Sequence, residues 1–134
     1  MKKYLNRKNI ILGLIGIVLL AVGWDQSAAT RGRWVAQFDL ARGHYRILAY
    51  GLPPRGVVQY KQILRERYGV EYQTVALCIV SRSLVAYADA YDNVSGDAIK
   101  RKYGQDVFKK SWDEATRTFD ENHKAELKNV SRGE

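Results

Sequence analysis

The sequence predicts a small α+β domain carried behind an N-terminal membrane-directed segment. Three observations predict it: a basic start followed by an uncharged run, two-residue alternation of apolar side chains between residues 33 and 50, and three later stretches in which apolar residues recur at helical spacing. The expected order is ββαβαα, a small mixed three-stranded sheet with helices packed on it. With 134 residues, 46% of them hydrophobic and 27% charged, the chain has material for one core once its first thirty residues are set aside.

Lys2, Lys3, Arg7 and Lys8 precede an uncharged run from Ile10 to Val22, and no acid appears before Asp25. That order is the n-region and h-region of an export signal. As a helix the run reaches only about 20 Å, against a hydrocarbon core of roughly 30 Å, and Trp24 can extend it as an interfacial anchor. Small residues permit cleavage after Gly23 or after Ala29. Residues 1–29 are therefore a cleaved signal peptide or an uncleaved N-terminal anchor. Residues 31–122 form a single globular domain, and 123–134 a polar, frayed tail. The domain is expected on the far side of the cytoplasmic membrane, periplasmic or otherwise extracytoplasmic, soluble or tethered by one helix. The lone Cys78 cannot form an intrachain disulfide and is too far from the apolar run to be a lipid attachment site.

Within the domain, Trp34, Ala36, Phe38 and Leu40 alternate with Val35, Gln37 and Asp39, the period of a first strand. Ala41, Arg42 and Gly43 supply a turn, and Tyr45, Ile47 and Ala49 resume the alternation, which makes a hairpin. Pro53 and Pro54 suit the entry to a helix, along which Val57, Tyr60, Leu64 and Tyr68 recur before Gly69 ends it. Glu71–Val80 is β-rich and continuously apolar from Val75, as in a central strand covered on both faces. Strand, helix and strand with short connections make the second and third strands parallel neighbours. Leu84, Tyr87, Tyr91, Val94 and Ala98 then fit a helix better than a fourth strand, and Val107, Phe108, Trp112, Ala115 and Phe119 describe a last one.

The formal charge of +8 owes four residues to the N-terminal segment, yet from Arg31 to Arg67 eight basic residues still face only Asp39 and Glu66. Outside a membrane such a surface meets anionic lipid headgroups or an acidic partner, and nucleic acid is not expected. His44 and His123 stand far apart with no ligand pattern beside them, so no metal or other cofactor is assigned. No phosphate loop, nucleophile elbow or paired-histidine helix is present. Cys78, between Leu77 and Ile79, reads as a small buried hydrophobe and not as a nucleophile.

Two functional readings follow. The first is a non-enzymatic interaction domain, exported or held at the membrane by its N-terminus, that meets a protein or anionic lipid surface through Arg42, Arg46, Tyr87 and Tyr91. The alternative is a domain that binds, or acts on, a small anionic ligand beyond the carboxyl ends of the parallel strands, where Tyr50, Arg55, Ser81, Arg82 and Ser83 gather.

Overall fold

The computed structural model describes residues 7–131; Lys2 and Lys3 of the basic start and the last three residues of the tail lie outside them. Over these described residues the chain is a mixed α+β structure of five helices and a two-stranded parallel sheet. In order these are α1 (Arg7–Gln26), α2 (Ala28–Ala41), β1 (Tyr45–Tyr50), α3 (Val57–Tyr68), β2 (Val70–Ala76), α4 (Arg82–Tyr103) and α5 (Val107–Ser131).

The expected first strand is a helix, so the hairpin and the three-stranded sheet are not formed. Along α2 the buried positions are Ala28, Gly32 and Ala36, four apart, while Trp34 and Phe38 are exposed. The alternation came from large side chains on the assumption that they point inward. Here the small ones do, because α2 lies against α4 so closely that a Cβ at Gly32 would collide with the Tyr87 carbonyl oxygen. Alanine-rich sequence with high helix propensity suits such a contact better than a strand.

β1 and β2 pair in parallel, with Tyr45 opposite Val70 and Ile47 opposite Tyr72, and α3 crosses between them as predicted. Gly69 ends α3 in the left-handed region, φ 64°, and its N–H is bonded to the Arg65 and Leu64 carbonyls. β2 stops at Ala76. Leu77, Cys78 and Ile79 form an exposed loop, which corrects both the long central strand and the buried cysteine. A two-stranded sheet has no second neighbour to cover that stretch.

One face of the sheet packs on α3, α4 and α5 through Tyr60, Leu64, Val70, Ile99, Val107 and Ala115. Tyr60 is central there, edge-on to Trp112 at 5.1 Å and to Tyr72 at 5.6 Å, and burial pushes its hydroxyl pKa up to about 12. A second cluster joins Ala36, Leu48, Ala88 and Tyr91 between α2, β1 and α4. The stretch from His123, expected as a polar tail, is the end of α5, which runs to Ser131 through Lys124, Ala125, Glu126 and Lys128, strong helix formers with no glycine or proline among them.

Candidate functional site

The free edge of β1 is closed by α4. The Asp92 carboxylate accepts the Leu48 N–H at 2.8 Å, and the Ser95 hydroxyl donates to the Arg46 carbonyl. One turn earlier, the Tyr50 hydroxyl donates to Asp89 at 2.8 Å, a bond that raises the tyrosine pKa. Burial, aided by the nearby Asp89 charge and opposed by the Leu48 N–H, pushes the Asp92 carboxyl up to about 6.

Of the surface expected from Arg42, Arg46, Tyr87 and Tyr91, only Arg42 is exposed, its guanidinium 3.9 Å from the centre of the Phe38 ring. Tyr91 belongs to the core. Its hydroxyl donates to Asp39 at 2.7 Å, and burial together with that bond raises its pKa. Arg46 bridges Glu71 at 3.0 Å and Asp39 at 3.5 Å. Tyr87 is half-buried, stacked with Tyr91 at 6.4 Å. These groups tie α2, β1, β2 and α4 together instead of forming an open basic face.

The carboxyl-end residues divide. Ser81 caps α4, its hydroxyl oxygen accepting the Leu84 N–H at 3.2 Å. Ser81 and Ser83 line a cleft of about 480 Å³ with Trp24, Arg31, Leu84 and Tyr87, beneath the junction of α1 and α2. Arg31 lies over the Trp24 ring at 4.3 Å and donates to the Trp24 carbonyl, while its Nε is buried without a partner. Tyr50, Arg55 and Arg82 are exposed and are not part of that lining.

Sequence reasoning reads Trp24 only as an interfacial anchor and Arg31 only as surface charge, and misses that both join this end, because they do so through the helical course of α2. It also misses the apolar loops beside them. Leu52 is 77% exposed and Ile79 91%, and Leu77 lies between β2 and Ile79. Gly51 N–H donates to the Ala76 carbonyl, which holds the two loops side by side where α4 begins. The signal lies in the Val75–Val80 run, whose apolarity by itself points to the inside of the sheet.

α1 leaves the domain from the same end. Its ten large apolar side chains between Ile10 and Val22 are all exposed. No single helix among the described residues is long and apolar enough to cross a membrane; α1 and α2 meet that test only as a pair, bent by 55° between Trp24 and Ala28. Among the described residues no group of histidine, cysteine and carboxylate side chains could hold a metal ion. No family model, no curated protein and no solved structure matches the chain.

Proposed function

We propose that the protein is an exported, membrane-tethered interaction domain without catalytic activity, and that the carboxyl end of its sheet faces the bilayer. The observation that carries this reading is the gathering of apolar groups at one end. Leu52, Leu77 and Ile79 are exposed on the two loops beyond the strand ends, exposed Trp24 stands with Arg31 beside Ser81 and Ser83, which follow the second loop, and Arg55 and Arg82 are exposed on the segments that lead from the two loops into α3 and α4. Apolar side chains with an indole and arginines at the rim suit the boundary between acyl chains and anionic headgroups. The uncovered surface of α1 supports insertion in the same direction, as a signal segment retained as an anchor.

The test is to separate soluble and membrane fractions of the native source and measure the intact mass of the chain in each. Full-length protein released from the membrane only by detergent is the expected result. Full-length protein in the cytosol would overturn export, and a product starting near Trp24 or Thr30 in the soluble fraction would overturn the tether.

The cleft beneath α1 and α2 favours a second reading, a small anionic ligand held by Arg31, Ser81 and Ser83. It predicts that inorganic phosphate or a dicarboxylate binds the detergent-solubilised chain and that Arg31→Gln abolishes the binding; no heat in a calorimetric titration would remove it.

A further inference from the structure

β2 has a second edge, and its position follows from the ladder. Arg46 and Leu48 direct their backbone groups to α4, so alternation turns those of Ile47 and Ala49 toward β2. In a parallel pair, register partners point the same way. Tyr72, opposite Ile47, and Thr74, opposite Ala49, therefore point their N–H and C=O groups away from β1. Among the described residues no backbone group pairs with that edge. Strand edges are templates for another strand unless they are covered.

A groove of about 470 Å³ runs along this edge, floored by Gly69, Val70, Glu71 and Tyr72 and walled by Lys61 and Arg65 of α3. Lys61 donates to the Thr74 hydroxyl at 3.3 Å and lies 5.2 Å from the Tyr72 ring centre, so its ammonium stands directly above the edge. Glu71, next to Tyr72 in the strand, alternates onto the other face of the sheet, where its carboxylate is bound to Arg46 at 3.0 Å, and Glu66, next to Arg65, accepts from Gln62 one turn back on α3. Both carboxylates are thus engaged by other side chains, and Lys61 and Arg65 give the groove its two cations.

We infer that this edge takes up an extended, acidic segment of a partner protein as a third strand. The inference rests on reading the chain as an interaction domain and names the chemistry of its partner. Spacing supports it. Lys61 and Arg65, one helical turn apart, are separated by about 6 Å along the axis of α3, and alternate residues of a strand by about 6.6 Å. Carboxylates at every second position of the added strand would meet them in turn, while main-chain bonds go to Tyr72 and Thr74. A second copy is a poorer occupant, because pairing β2 with β2 about a two-fold axis keeps Glu71 on the face away from Lys61 and Arg65.

The experiment uses the full chain in detergent micelles, so that its outcome is independent of whether the protein reaches a membrane unaided. The probes are a fluorescent octapeptide of alternating valine and glutamate and its valine–lysine counterpart. The glutamate peptide is expected to bind and the lysine peptide not, with slowed amide exchange at Tyr72 and Thr74. The double charge reversal K61E/R65E should weaken binding by at least about tenfold. Thr74→Pro removes one outward N–H at an edge that tolerates proline, and should abolish binding while circular dichroism stays unchanged. Equal binding of both peptides, no binding of either, or affinity unchanged in both variants would overturn the inference. So would protection of Tyr72 and Thr74 that rises with protein concentration alone, since it would mean the edge pairs with a second copy.

Discussion

Replacing Asp92 by asparagine separates what its charge costs from what its hydrogen bond contributes. The carboxyl moves from an ordinary 3.8 to about 6 on folding, so the folded state holds its proton more tightly than the unfolded chain does. The stability this provides is complete below about pH 4 and is lost as pH rises through about 6. At 1.36 kcal/mol per pKa unit the ceiling is about 3 kcal/mol, and screening of a half-exposed carboxyl reduces it to about 1–2 kcal/mol. Asp92→Asn keeps an oxygen for the Leu48 N–H at 2.8 Å and removes the charge. Urea unfolding of the full chain in micelles at pH 4, 5, 6 and 7 should then find the variant more stable than wild type by about 1–2 kcal/mol at pH 7, and by nothing at pH 4. Groups common to both proteins cancel in that difference. Asp92→Ala should be less stable than Asp92→Asn by about 1–3 kcal/mol at every pH, because the Leu48 N–H loses its acceptor, and its loss against wild type should therefore be largest at pH 4 and shrink toward pH 7. A difference between wild type and Asp92→Asn that does not change with pH would refute the reasoning.

Other substitutions probe the contacts that hold the helices on the sheet. Gly32→Ala would gain about 1 kcal/mol of helix propensity in open space, but the collision with the Tyr87 carbonyl should turn it into a net loss of about 1–2 kcal/mol. Gly16→Ala, with nothing within 4 Å, should show no such loss in the same thermal scan. Tyr91→Phe removes the donor to Asp39 and should cost about 1–2 kcal/mol in urea unfolding. The double variant Leu77→Ser, Ile79→Ser should leave the unfolding midpoint unchanged, since both side chains are exposed, and should lower the affinity of the chain for anionic vesicles in a sedimentation assay.

Sequence pattern identified β1, α3 with its Gly69 terminus, the parallel crossover to β2, and the periodic parts of α4 and α5, because in each the large apolar residues do face the core. It failed on α2 for the converse reason. Ala28, Gly32 and Ala36 recur every four residues, a period as regular as that of Trp34, Ala36, Phe38 and Leu40, and the choice between them depends on how closely α4 approaches. The Val75–Val80 run failed because a continuous apolar stretch does not itself supply the neighbours that would cover it: β2 ends at Ala76, and Leu77 and Ile79 are exposed. The pairing of Arg31 with Trp24 was not legible, since it depends on the bend between α1 and α2.

Cys78 gives direct access to the central claim, since it is the sole cysteine, is exposed, and sits between Leu77 and Ile79 in the loop proposed to face the bilayer. A nitroxide attached there, with the full chain in anionic vesicles, reports collisions with lipid-soluble oxygen and with a water-soluble nickel chelate. Membrane contact predicts relaxation dominated by oxygen, with the chelate excluded relative to the same label in micelles after Leu77→Ser and Ile79→Ser. Chelate collisions as frequent as those of a label free in water would contradict it, and would place the carboxyl end of the sheet away from the membrane.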